Sequence, residues 1–159
     1  VAAEKPDMPP SAVLEREHHE VDAGLEGFLT GLIGGRVDAE ALNAALEDLR
    51  RHIYLEERIL FPPIRHAGME MPIAVMMTEH GEIWRTMDAL AGLVAGGDTE
   101  RMGALCRLLL DQLAVHNSKE EQVIYRAADT ALEPDQAAEL MDFIETGLMP
   151  DCWECREAR

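Results

Sequence analysis

The sequence predicts an all-α protein: an up-down-up-down antiparallel four-helix bundle, followed by a short C-terminal fifth helix and a tail. Three observations lead there. Apolar residues recur at steps of three and four through four long segments. Glycine pairs, prolines and acidic residues divide those segments with short connections. No stretch alternates apolar and polar residues for long enough to make a strand. Long helices joined by short loops pack as antiparallel neighbours.

The elements follow in order. Val1 to Pro10 contains three prolines and reads as an irregular arm. Ser11 is expected to cap a first helix that runs to about Ile33 and stops at Gly34-Gly35. Its seam is Leu14, Val21, Leu25, Phe28 and Leu32. Asp38 caps the second helix, whose inward face carries Leu42, Ala45, Leu49, Ile59 and Leu60. That helix is expected to end or kink at Pro62-Pro63, where amide hydrogens are missing. Pro72 suits the first turn of a third helix, with Ile73, Met76, Met77, Ile83, Met87, Leu90 and Val94 on one face. Gly96-Gly97 closes it. Asp98 or Thr99 opens the fourth, which carries Met102, Leu105, Leu109, Leu113, Val123, Ile124 and Ala127 inward. A fifth helix spans from near Pro134 to near Gly147, and Leu148 to Arg159 has no clear period. The expected organisation is an arm at 1–10, a bundle at 11–131, and a short helix with tail at 132–159.

Composition excludes several functions. A chain of 159 residues suits one domain, and 47% hydrophobic residues argue against disorder. Aromatic residues are 4% and methionine numbers nine, so the core is aliphatic and soft. The 31 acidic residues against 14 Lys and Arg give a net charge of −17, which disfavours nucleic acid and anionic membranes. No apolar run approaches the ~18 to 20 residues of a membrane span. The start lacks the basic and apolar regions of a signal peptide, so a cytoplasmic protein is expected. Three cysteines do not make a disulfide scaffold.

The histidines carry the chemistry. His52-x-x-x-Glu56-Glu57 recurs as His116-x-x-x-Glu120-Glu121. Residues four apart share a helix face, so each run presents an imidazole and a carboxylate together. His18 continues the first seam, four residues after Leu14 and three before Val21, whereas His19 turns to the wet face with Glu15, Asp22 and Glu26. His52 lies in line with Ala45 and Ile59, Glu56 with Leu42 and Leu49, and His80 with Ile73, Met87 and Val94. His116 lies in line with Met102, Leu109 and Val123, and Glu120 with Cys106, Leu113 and Ala127. All six fall at a similar depth, roughly 10 to 20 Å from one end of an antiparallel bundle at ~1.5 Å rise per residue.

A single histidine on an apolar seam is usually a satisfied core residue. One on each of four seams, two with a glutamate one turn on, points to metal, because a buried carboxylate needs a cationic partner. Glu57, Glu79, Glu82 and Glu121 are expected in solvent, with Glu79 the nearest to the site. His66 reads as a loop residue after the prolines. It is a candidate to support the ligands from behind, as is Met76, although Met76-Met77 suits the core. Tyr54 and Tyr125 are expected to turn away from the seam. Four imidazoles and two carboxylates suit two metals, each with two histidines, bridged by the carboxylates. Without a thiolate in the set, iron is favoured, with manganese or zinc as alternatives. Each metal keeps a position for water or a small ligand behind Leu, Ile and Met walls.

The runs Arg16-Glu17-His18-His19-Glu20, His52-x-x-x-Glu56-Glu57-x-x-Leu60-Phe61-Pro62, Glu79-His80 and His116-x-x-x-Glu120-Glu121 resemble the hemerythrin-like, or HHE cation-binding, domain over about residues 11 to 130. The resemblance implies a non-haem centre of two iron ions, carboxylate- and oxo-bridged. Its ligands would be His18, His52, Glu56, His80, His116 and Glu120. It also implies a small ligand: oxygen, nitric oxide or peroxide. The sequence departs from the oxygen carriers twice. Met76 stands where they have the first residue of His-x-x-x-His, and His116-x-x-x-Glu120 replaces their His-x-x-x-x-Asp. Both departures favour sensing or stress response over bulk oxygen transport, with peroxidase, catalase-like or nitric-oxide reductase activity as enzymatic versions. The alternatives are iron donation, repair or storage, and a metal-free helical interaction module. Redox partner and oligomeric state stay open. Cys152-Trp153-Glu154-Cys155 is read either as two plain tail thiols or as a redox pair or half a metal site. Cys106 is expected to be buried and inert.

Overall fold

Helix starts are set by prolines and acidic side chains in this computed structural model, which describes residues 8–159. The expected arm at 1–10 therefore lies mostly outside the described residues. Helix α1 (Pro10–Ile33) begins on a proline, whose missing amide has no intrahelical partner at that position anyway. Ser11 is not its cap. Its hydroxyl and amide instead bond Asp129, at 2.6 and 3.2 Å, tying the start of α1 to a helical residue far along the chain. Asp38 caps α2 (Ala39–Leu55) by accepting from the Ala41 amide at 3.0 Å. Asp98 caps α5 (Thr99–Lys119) in the same way through Arg101.

The chain does not stop at Pro62-Pro63. Helix α2 runs into a π-turn, Glu56–Leu60, and continues as α3 (Phe61–His66) with a proline in its first turn. After α4 (Glu70–Leu93), left-handed Gly97 makes the turn. Helix α5 then repeats the device, passing through a π-turn at Glu120–Ile124 into α6 (Tyr125–Ala131). Each π-turn inserts one extra residue, so the inward face downstream moves on by one. Ile59 is only half-buried while Leu60 and Phe61 are buried. Val123 is 44% exposed while Ile124, Tyr125 and Ala128 are buried. Of the seam expected at Val123, Ile124 and Ala127, Ile124 faces inward, but Val123 turns out and Ala127 is only partly buried beside Ala128.

Helices α1, α2, α4 and α5 pack each against the next around a square, the cyclic order of an up-and-down bundle. The structure bears out the all-α class, and among the described residues there is no strand. The core divides into two apolar clusters. One holds Val21, Leu25, Leu49, Ile53, Ile83, Trp84 and Leu113. The other holds Leu14, Leu60, Phe61, Met76, Met77 and Ile124. Along each helix the histidine and glutamate positions fall between members of the two, so the polar groups form a layer sandwiched by hydrocarbon.

Helix α7 (Pro134–Thr146) opens on a reciprocal capping box between Glu133 and Gln136. The irregular tail beyond it is packed on the bundle. The Trp153 ring contacts those of Tyr54 and Trp84, at centroid distances of 5.0 and 5.5 Å. Gly81 lets it approach, since a Cβ there would collide with the Glu157 carbonyl. Among the described residues, no helix is long and apolar enough to cross a membrane.

Candidate metal centre

The six inward residues meet in the layer between the clusters. Their exposures run from 0 to 4%, which is extreme for ionisable side chains. Among the described residues, two groups could hold a metal ion: His18, His52, Glu56 and Glu120, and Glu56, His80, His116 and Glu120. Within each group the donor atoms all lie within 4.8 Å of one another. Both glutamates belong to both groups, and their two oxygens face opposite ways. Glu56 Oε1 lies 3.0 Å from His52 Nε2, and Oε2 lies 3.1 Å from His80 Nε2. Glu120 Oε2 lies 3.3 Å from His18 Nε2, and Oε1 lies 3.1 Å from His116 Nε2. That is how a carboxylate bridging two cations has to be placed.

The donor set fits metal on a further observation. Glu56 Oε2, His80 Nε2 and Glu120 Oε1 are buried and make no well-aligned hydrogen bond, although His80 Nε2 lies 3.1 Å from the first glutamate oxygen and 3.6 Å from the second. Buried polar atoms nearly always find an aligned partner, and three that converge on one spot without one mark a place for a cation. The adjoining cavity is about 10 Å3, room for one water-sized group, and Leu49, Ile53, Ile83 and Leu113 help to line it.

Outside this layer runs a ring of carboxylates. Nδ1 of His18 lies 2.9 Å from Glu121, that of His52 2.9 Å from Glu17, that of His80 3.0 Å from Glu57 and that of His116 3.6 Å from Glu79. Each of these glutamates is the chain neighbour of an inward residue: Glu17 of His18, Glu57 of Glu56, Glu79 of His80 and Glu121 of Glu120. One residue on is about 100° round a helix, which aims the side chain at the next helix of the square. The ring therefore closes α1 to α2, α2 to α4, α4 to α5 and α5 to α1. At His18, His52 and His80 the carboxylate hydrogen-bonds Nδ1, which holds the proton there and turns Nε2 inward as the donor, whereas Glu79 faces His116 at 3.6 Å as a charge partner only. Contrary to its sequence context, the Glu57 side chain is almost out of solvent; Glu121 stays partly exposed while reaching His18, and Glu79 does approach the site. Glu17 was missed, although its place beside His18 in the motif was the available signal. Glu82 is exposed, as expected.

Electrostatics follow from this crowding. Burial opposes charge on His52, but Glu56 and Glu17 outweigh it and push the imidazole up to about 10. His116 reaches about 9 in the same way, through Glu120 and Glu79. Burial also opposes charge on Glu120, yet His116, His18 and His80 hold its carboxyl well below the usual range. In the metal-free chain, protons on His52, His80 and His116 stand in for the cations.

The other candidates separate cleanly. His66 ends α3 and is exposed, away from the cluster, so it does not support a ligand. Met76 is buried with Ile73 and Phe61 one turn from His80. Tyr54 turns away, against Phe143 and Trp153. Tyr125 does the opposite of what was expected. It is fully buried, and its hydroxyl donates to Glu56 Oε1 at 2.5 Å. The π-turn that displaced the seam carried it inward. Cys106 is buried with its thiol 3.6 Å from the Leu25 carbonyl, and burial pushes it up to about 11. Cys152 is exposed and Cys155 is buried, both as free thiols.

A helical bundle with a buried layer of imidazoles and shared carboxylates defines a metal-binding four-helix protein. The chain belongs to the family described as the hemerythrin HHE cation binding domain, which matches residues 9–128. Among curated proteins it is similar to the iron-sulfur cluster repair protein DnrN of Neisseria gonorrhoeae, at 34% identity across 50% of this chain and 57% of that protein. The match thus spans little more than half of that relative's length. No solved structure matches the chain.

Proposed function

We propose that this chain holds two iron ions between its four long helices, and that the centre binds or reacts with a small oxidant such as oxygen, nitric oxide or peroxide. The observation that supports this reading most is the pair of shared glutamates, each facing a histidine on either side. When bound, two irons supply redox chemistry and an exchangeable position for a small molecule. The chain's own residues do the rest. Glu56 and Glu120 set the spacing of the two cations and neutralise much of their charge. The outer carboxylates orient the imidazoles. The apolar clusters on both sides exclude bulky molecules and dry the site, which strengthens every charge interaction inside it. Met76 supplies no nitrogen one turn before His80, which leaves one donor position open and favours reactivity over reversible storage of oxygen.

A second reading has its own support. The relative named above is an iron-sulfur cluster repair protein, and iron donation to damaged clusters needs the same ligand set with looser iron. One experiment separates the two. The protein is loaded anaerobically with ferrous iron and desalted. Oxygen, nitric oxide and peroxide are then added in turn, and optical spectra are recorded beside iron transfer to a cluster-free ferredoxin. Spectral change with iron retained supports the oxidant reading. Iron transfer without spectral change favours donation, and neither result sinks both.

A further inference from the structure

The hydroxyl of Tyr125 stands inside one of the two donor groups. Its oxygen lies 2.8 Å from His18 Nε2, 3.1 Å from His52 Nε2, 2.5 Å from Glu56 Oε1 and 3.5 Å from Glu120 Oε2. These are the four residues of the first group. The second group has no such occupant, and its inward atoms on Glu56, His80 and Glu120 are those without a well-aligned hydrogen bond.

A cation bound by imidazole and carboxylate sits about 2.0–2.2 Å from each donor. An ion placed among His18, His52 and Glu56 must therefore touch the phenol oxygen. Either the ring swings away or its oxygen joins the donors. The ring is held. Its residue has no exposure, and the apolar cluster around it includes Leu14, Leu55, Leu60 and Ile64. It stacks on His18 at a centroid distance of 5.3 Å, and its amide closes the π-turn on the Glu120 carbonyl. Swinging it out would open a tyrosine-sized cavity in a close-packed core, a change that destabilises strongly.

We infer that Tyr125 is a protein ligand to the metal held by His18 and His52, so that the two metals differ and the exchangeable position belongs to the metal held by His80 and His116. As the cation enters, the O–H bond breaks and a metal–oxygen bond forms. The proton leaves to bulk water, and no electron moves. Met76, on the His80 side, is drawn into the neighbouring apolar cluster and supplies no matching donor there.

The inference rests on the two-iron reading but fails separately from it. The chain has two tyrosines, Tyr54 and Tyr125. The full-length ferric protein is examined by optical absorption and by Raman scattering excited in the visible. The native protein is expected to show a phenolate-to-iron charge-transfer band with tyrosine ring vibrations enhanced. Tyr54→Phe keeps both. Tyr125→Phe loses both while keeping its helical circular dichroism and two irons. Should Tyr125→Phe not fold, ring-deuterated tyrosine is incorporated into Tyr54→Phe, and the enhanced vibrations must shift. Two irons without the band in the native protein overturn this inference and leave the two-iron reading standing. A band that survives Tyr125→Phe, or that vanishes in Tyr54→Phe, overturns it as well. A native chain that takes up no iron overturns the reading beneath it.

Discussion

His52 sits between Glu56 and Glu17, and the balance there is legible as charge. Burial favours the neutral ring, but two carboxylates within hydrogen-bonding distance win and raise its pKa to about 10. The consequence for the metal-free chain has a definite sign. A group whose folded pKa lies above its ordinary value of 6.5 adds stability that is complete below 6.5 and disappears as pH rises through the folded value. With His116 at about 9, the metal-free protein should melt at falling temperature from pH 6.5 to about 10. Thermal melts of chelator-treated protein across that range check this, and a flat profile contradicts it. The outer ring gives a second prediction at this scale. Glu57→Gln removes the anion behind His80, and loss of such a partner weakens metal binding about 10–100-fold. Competition with a chromogenic chelator measures it, with the exposed Glu82→Gln unchanged. At the residue scale the inward histidines and glutamates were readable because each broke an apolar pattern. Glu17, Glu57 and Glu121 were not, because a carboxylate one step off the seam looks like ordinary solvated surface until the neighbouring helix is in place.

The two π-turns decide what each half of the bundle presents. Both begin at the glutamate of a His-x-x-x-Glu pair, and both re-aim the residues beyond it. A regular period of 3.6 residues cannot register an inserted residue, and Val123 and Tyr125 were therefore assigned to each other's sides. Deleting Val123 lets that turn close as an α-helix with Ile124, Tyr125 and Ala128 still facing in. It should lower the melting temperature far less than deleting the exposed Ala114, which has no extra residue to absorb the loss and rotates His116 and all that follows by about 100°. Similar destabilisation by both deletions would refute the insertion account. The tail is a second element that periodicity could not describe. It is held by a missing side chain at Gly81, by Arg85 donating to the Glu157 carbonyl at 2.9 Å, and by the Arg156 amide donating to Glu57 at 3.2 Å. Gly81→Ala overpacks that contact, at a cost of about 1–3 kcal/mol against a gain in helix propensity of at most about 1 kcal/mol. Urea unfolding should show the net loss. Alkylation of Cys155 should quicken while Cys106, beneath Leu25, stays slow.

Across the whole molecule, the sandwich of two apolar clusters around one polar layer is the design that carries function. The bundle class, its helix order and the common depth of the inward residues were all legible, because seam spacing and short loops leave few alternatives. The closed ring of outer carboxylates was not, since it exists only when all four helices are in register. Such a layer is expensive to bury without cations, so metal should stabilise the fold: a ligand at 100 times its Kd adds about 2.7 kcal/mol per site. The central claim is that the layer holds two irons. It is tested most directly by iron analysis of the full chain after anaerobic loading with ferrous iron and removal of unbound metal. Two irons per chain are predicted, together with a higher melting temperature than the metal-free protein. One iron or none, with the melting temperature unmoved, would contradict the account.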